Sequence, residues 1–274
     1  VALLSFDLDG VLQRNPFHSN RPEGVFGHIT RELTPDDPRI SLRMIMGEHH
    51  DLLHAGQLVA AHDWDGIMRT VATQLNYSGE INVTQLVEHY CDIPGMVWHY
   101  PGAPETLRSL QAAGHTLVVV TNGFRCYQEP VLRTIGLLDY FVAMITPEAA
   151  GAAKPETGIY RAAEAHGQAG EPRIHVGDVL THDVAGAKRS GWQAIYVVQS
   201  GAPGATELPP ELAALPPWER PAQGSDWLRH RLELDRRWHG YPPAEMEECI
   251  PDAIVAQLPE IPATVAQLVS RQTA

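Results

Sequence analysis

Residues 2–11 read ALLSFDLDGV, an apolar run that ends in two carboxylates, Asp7 and Asp9, one residue apart. In an extended segment, residues i and i+2 face the same way. Two like charges held this close destabilise each other unless a proton or a cation intervenes. Mg²⁺ suits such a pair, because it takes hard oxygen ligands and keeps waters and substrate phosphate in its shell. Asp-Gly is also a common turn signal, so a solvated turn is the plain alternative. Three further segments carry side chains of chemical interest: Thr121-Asn122-Gly123, Lys154-Pro155, and Asp178 with Asp183 five residues later. Taken singly, each reads equally well as a turn, a solvent-facing lysine or a helix cap.

The elements that would position these residues are legible. ALLSFDL (2–8), HTLVVVT (115–121), YFVAMIT (140–146), RIHVGD (173–178), QAIYVV (193–198) and DAIVAQL (252–258) have strand character. Helical patterns lie between them. One spans 101–114, with Pro101 or Pro104 in the first turn and Gly114 at the C-terminal cap. Others span 126–136, 156–167 (Tyr160, Ala162 and Ala163 on the packed side), 184–191 and 262–270. This alternation predicts an α/β fold, a doubly wound parallel sheet with helices on both faces. Ligands of such sheets bind beyond the carboxyl ends of the strands, which is where all four chemical segments fall.

Two stretches interrupt the pattern. Residues 13–98 far exceed what a crossover needs. With WDGIMRTVATQLNY (64–77) and TQLVEHYCD (84–92) they read as a mainly helical insert, leaving 1–12 and 99–274 as the core. Residues about 201–250 are rich in Pro and Trp and read as an insertion before the last strand, emerging on the ligand side. Trp218, Trp227, Trp238 and Tyr241 are expected to anchor it through buried aromatic area, with a substrate wall or partner surface as the sharper alternative. LRHRLELDRRWH (228–239) mixes both charge signs and reads as a solvated helix.

Composition excludes several classes. A net charge of −13 over 274 residues argues against nucleic-acid and anionic-membrane binding. No apolar run approaches a membrane span, and the first residues lack a signal-peptide pattern. The chain begins with Val, so its start is expected to be processed or trimmed. Cys91, Cys126 and Cys249 are odd in number and form no CxxC pair, which predicts a reducing, cytoplasmic setting and no thiolate zinc site. Cys126 has no evident base nearby and reads as a small core residue. His50 and His54 stand at i, i+4 behind Glu48-His49, but the order is not HExxH. They read as surface or substrate-facing residues of the helical insert.

The ordered set DLDGV (7–11), TNG (121–123), KPE (154–156) and VGDVLTHDVAGAKRSGW (176–192) resembles the haloacid dehalogenase superfamily of hydrolases. The likeness covers 1–12 and about 99–199 and resumes at PDAIVAQLPEIP (251–262). Residues 13–98 stand where that family inserts its helical cap, whereas 201–250 has no counterpart. The resemblance implies a Rossmann-like core and a Mg²⁺-dependent reaction on a small phosphorylated metabolite. Asp7 would be the nucleophile and Asp9 the proton donor and acceptor. Thr121 and the backbone N–H of Asn122 would bind phosphoryl oxygens, and Lys154 would neutralise the transferring group. Asp7, the Asp9 carbonyl and Asp178 would ligate Mg²⁺, with Asp183 holding its water shell or Lys154. Haloalkanoate dehalogenases lack the second aspartate, so Asp9 favours phosphate esters over carbon–halogen bonds. The DLDGV spelling is shared with β-phosphoglucomutase-like members, which keeps a phosphomutase as an alternative. A protein-binding role for 201–250 is a second alternative, not the expected one.

Overall fold

The computed structural model describes residues 1–17, 24–198, 207–239 and 245–273, without the side chains of 237–239 and 273. The strands are β1 (Leu3–Phe6), β2 (Gln13–Arg14), β3 (Trp98–His99), β4 (Thr116–Val120), β5 (Ala143–Ile145), β6 (Arg173–Gly177), β7 (Gln193–Val197) and β8 (Ala253–Val255). Six of them form one sheet in the order β5-β4-β1-β6-β7-β8, with every neighbouring pair parallel. The chain leaves β1 toward β4 and β5, then returns to the other side of β1 as β6. That reversal opens a crevice beyond the carboxyl ends of the central strands.

Successive strand side chains alternate between two apolar layers. Leu4, Phe6, Val119, Val176 and Ile195 face one layer, closed by Leu107 and Leu110 of α6 (Ala103–Ala112) and by Val265 and Leu268 of α14 (Ile261–Thr273). Leu3, Val118, Val120, Tyr196 and Ile254 face the other. That layer is closed by α9 (Thr157–Glu164) and α10 (Ala185–Arg189). Burial on both faces is why these strands read as continuous apolar runs.

The stretch expected to be helical holds α1 (Val25–Leu33), α2 (Pro38–His54), α3 (Leu58–Ala61), α4 (Trp64–Gln74) and α5 (Val83–Cys91). The carboxylates of Asp37 and Asp63 and the amide of Asn82 cap α2, α4 and α5 by accepting backbone N–H bonds. Ile29, Ile45, Ile67, Met68 and Val87 make a third apolar cluster. It also takes in Tyr127 and Val131 of α7 (Arg125–Thr134), so these helices rest on the element that follows β4. The antiparallel ribbon β2–β3 stands where the chain enters and leaves this helical block.

The remaining helices are α8 (Pro147–Ala150), α11 (Pro210–Ala213), α12 (Arg220–Gln223) and α13 (Ser225–His239). Two expectations are corrected. The α13 segment is not solvated all round: Leu228, Leu232 and Asp235 are buried, because i, i+4 and i+7 form one stripe that the surrounding charges disguise. Cys126 is exposed, because the inward face of α7 is set by Tyr127, Gln128, Val131 and Leu132. Trp227 packs against the second apolar layer, edge-on to Tyr196, and Trp218 against the first. The side chain of Trp238 and the whole of Tyr241 lie outside the described residues. Arg220 is a further anchor: it is buried and donates to the carbonyls of Leu212, Ala213, Leu215 and Ile254 and to both oxygens of Glu260. A guanidinium fork is suited to satisfying that many acceptors at once.

Candidate active site

β1 delivers Asp7 directly. Its N–H donates to Val176 O at 2.9 Å, continuing the ladder with β6 by one residue, and its carboxylate is buried. The chain then turns sharply, with the N–H groups of Val11, Leu12 and Gln13 all directed at Leu8 O. Gly10 makes the turn with φ +82°, and a Cβ there would fall 1.9 Å from Asp178 Oδ2. Glycine is therefore required both by conformation and by the approach of the carboxylate at the end of β6.

Lys154 is brought to this point by a clamp between two loops. Its N–H donates to Asn122 Oδ1 at 2.7 Å, and Asn122 Nδ2 donates to Lys154 O at 3.1 Å. The buried Lys154 Nζ lies 2.8 Å from Asp7 Oδ1 and 2.6 Å from Asp183 Oδ1. Asp183 uses all its capacity: Oδ1 also accepts from His175 Nε2 at 3.0 Å, and Oδ2 accepts from the N–H groups of Asp178 and Val179 at 3.1 and 2.9 Å. His175 Nδ1 lies 2.7 Å from Ser5 Oγ. Burial favours the neutral ring, so Nε2 carries the hydrogen toward Asp183 and Nδ1 accepts from the serine.

The electrostatics follow from burial and spacing. Burial pushes the Asp7 carboxyl up to about 7; Lys154 opposes the rise, and Asp183 adds to it. Burial also lifts Asp178 well above the usual carboxylate range, with Asp7 and Asp183 adding to it. Burial alone would raise Asp183 too, but Lys154 and His175 hold it far below that range. Lys154 is held above its ordinary value, since Asp183 and Asp7 outweigh its desolvation. One cation thus sits between two carboxylates, with a third beside them.

Asp7, Asp178 and Asp183 bring ligand atoms within 4.8 Å of one another. Asp178 Oδ1 is buried and has no hydrogen-bond partner. A buried, unpaired carboxylate oxygen beside two other anions fits a divalent cation with oxygen ligands. Asp183 already accepts from four donors, so Asp7 and Asp178 are the two that could hold such an ion. The Asp9 carboxyl lies outside this cluster. It accepts from Gln128 Nε2 at 2.7 Å and from Gln13 Nε2 at 3.4 Å.

All seven residues singled out in the sequence, Asp7, Asp9, Thr121, Asn122, Lys154, Asp178 and Asp183, line one cavity of about 660 Å³. Thr121 is buried at its base, its Oγ1 accepting from Gly123 N at 3.2 Å. The far side is formed by Phe26 and Trp64 of the helical block, and α13 contributes Arg231, Leu234 and Asp235. Asp235 Oδ2 accepts from Leu180 N at 2.7 Å, tying α13 to the turn between Asp178 and Asp183. Arg231 Nε donates to Tyr196 Oη at 3.0 Å. His50 and His54 do not line the cavity, and His49 instead stacks on Trp64 at 5.1 Å.

Ser5, Gln13, Gln128, His175, Arg231 and Asp235 escaped the sequence reading. Ser5 and His175 carried a signal, as polar residues within apolar strand runs. Their cross-strand pairing in the β1–β6 register shows why they occur together.

Fold and site together define an α/β protein with a carboxylate–lysine centre at its topological switch point. The family model of haloacid dehalogenase-like hydrolases matches residues 1–191, and the chain belongs to that family. It is 33% identical over 115 residues to the phosphoglycolate phosphatase of Agrobacterium fabrum, covering 41% of this chain and 49% of that protein. It is 32% identical over 114 residues to the phosphoserine phosphatase of Thermus thermophilus, covering 41% of this chain and 46% of that protein. These matches span less than half the length of either relative. The crystal structure of a HAD phosphatase from Thermococcus onnurineus is similar with TM-score 0.56 and 27% identity, covering 74% of this chain and 89% of that one. The L-2-haloacid dehalogenase of Xanthobacter autotrophicus shares the fold over 97% of this chain and 99% of that one, with TM-score 0.60 at 18% identity.

Proposed function

We propose that the protein is a Mg²⁺-dependent phosphatase that hydrolyses a small phosphomonoester through an aspartyl-phosphate on Asp7. The observation that carries this reading is the buried Asp7–Lys154–Asp183 array, with Asp9 two residues on in the same cavity. Relatives named as phosphatases of phosphoglycolate and phosphoserine support it.

In the first step an Asp7 oxygen bonds to phosphorus while the bond from phosphorus to the leaving oxygen breaks, and Asp9 supplies that oxygen with a proton. In the second, Asp9 takes a proton from the water that attacks the aspartyl-phosphate, releasing phosphate and the Asp7 carboxylate. Lys154 offsets the repulsion between Asp7 and the anionic phosphoryl group. Asp183 keeps Lys154 charged and aimed. The Thr121 hydroxyl and the Asn122 N–H donate to phosphoryl oxygens. Asp7, Asp178 and the Asp9 carbonyl would hold Mg²⁺, which when bound supplies the positive charge that lets phosphate approach a carboxylate.

Residues 13–98 act in this reading as a cap, whose Phe26 and Trp64 close the cavity over a small leaving group and keep bulk water out. The phosphorylated metabolite is the only partner the reaction needs, and a cytoplasmic setting agrees with three free cysteines. No helix among the described residues is long and apolar enough to cross a membrane. The test is Mg²⁺-dependent phosphate release from an aryl phosphate and a panel of phosphorylated metabolites. Absence of Asp7-dependent release across the whole panel would sink the reading.

A further inference from the structure

We propose that Gln128 is a positioning residue that holds the Asp9 carboxyl in place to protonate the leaving group, an inference that rests on the phosphatase reading above. Gln128 lies on the inward face of α7 beside Tyr127, Val131 and Leu132, and is 3% exposed. An amide in such a place is costly unless hydrogen-bonded, and leucine would fill the space without that cost. Gln128 meets the cost at Asp9, donating from Nε2 to Oδ2 at 2.7 Å.

The direction of that amide is set by a second one. Gln13, fully buried on β2, donates from Nε2 to Gln128 Oε1 at 2.7 Å and lies 3.4 Å from Asp9 Oδ1. Turned the other way, Gln13 would face two acceptor oxygens with its own Oε1. With the Gln128 oxygen committed to Gln13, its NH₂ group must face Asp9. An amide N–H can donate to a carboxylate, where the bond is stronger, and also to the carbonyl oxygen of a carboxylic acid. The bond to Oδ2 therefore holds the Asp9 carboxyl in one orientation, whether or not it carries the transferable proton. In the first step that proton passes to the departing ester oxygen as its bond to phosphorus breaks.

Gly123 gives independent geometric support. Its φ is not positive, so conformation does not demand glycine there. A Cβ at 123 would fall 2.2 Å from Gln128 Nε2 and 2.8 Å from Gln128 Cδ. The missing side chain is the space through which Gln128 reaches Asp9.

The experiment uses the Mg²⁺-loaded full chain and a series of aryl phosphates whose leaving phenols have pKa values from about 4 to about 10. kcat/KM reports on the first P–O cleavage. Gln128→Met is nearly isosteric but has no donor. Its expected loss is a few-fold for the most acidic phenols, which depart without help, and about 100-fold for the least acidic. Gly123→Ala should displace Gln128 and steepen the leaving-group dependence in the same way. The double variant should be no worse than the more impaired single one. A uniform loss across the series, or additive losses in the double variant, overturns the positioning role while leaving Asp7-dependent hydrolysis standing. A wild-type protein inactive on every member overturns the phosphatase reading and this inference with it.

Discussion

Replacing Asp7 with Asn is expected to abolish turnover and, without metal, to stabilise the fold. Burial holds the Asp7 carboxyl up near 7 against a reference value of 3.8. A carboxyl raised on folding contributes stability that is fully present below the unfolded pKa and lost as pH rises through the folded one. For Asp7 the loss falls between about pH 4 and pH 7. A gap of about 3 pH units at 1.36 kcal/mol each sets an upper limit of about 4 kcal/mol lost at pH 8. At pH 5 only about 2 kcal/mol of that has been lost. Asn mimics the protonated side chain at every pH. Asp7→Asn should therefore be more stable than wild type, by a margin that grows by about 2 kcal/mol between pH 5 and pH 8. The assay is urea unfolding of both proteins in EDTA at the two pH values. Added Mg²⁺ should then raise the wild-type midpoint more than that of the variant, because binding to the native state stabilises it by mass action. A variant less stable than wild type at pH 8, or a margin that does not widen with pH, would refute the burial argument.

Other consequences are as direct. Lys154→Met leaves Asp7 and Asp183 buried without their cation, so a loss of about 3–5 kcal/mol is expected in urea unfolding at pH 8, together with loss of turnover. That destabilisation should be smaller at pH 5, where Asp7 takes up a proton. Asp9→Asn should lower kcat/KM by about 10²–10⁴-fold while aspartyl-phosphate still forms from the most activated esters, detectable by mass spectrometry after acid quench. Arg220→Leu strips five acceptor residues of their donor and should cost about 2–4 kcal/mol, read from the denaturation midpoint. Chelation should bring phosphate release to background, with recovery on adding Mg²⁺.

α13 shows how an element can look solvated in sequence and still carry part of a site. Between Leu228 and Asp235 the apolar positions are interrupted by Arg229, His230, Arg231 and Glu233, so local composition speaks for water. Only the packing of Leu228 and Leu232 on the second apolar layer brings Arg231 and Asp235 over the cavity. Gln128 was equally silent, because its partners lie 115 and 119 residues away. Cys126 misled for the opposite reason: it neighbours an important turn, but helical phase turns it outward.

The sequence alone determined the six strands of the parallel sheet, their order along the chain and the residues at their carboxyl ends, because apolar runs of strand length must be buried and charges cannot interrupt them cheaply. It also placed Asp7, Thr121, Lys154 and Asp178 on four separate segments of one expected face. Tertiary structure decided which of these touch. Lys154 is shared by Asp7 and Asp183 because a two-sided amide clamp from Asn122 fixes its backbone. Asp9 turns from the acidic cluster toward Gln128, which sets its carboxyl apart from those of Asp7 and Asp178. These choices rest on contacts between residues distant in sequence, whose free energy depends on burial and distance, and neither quantity exists until the sheet has assembled.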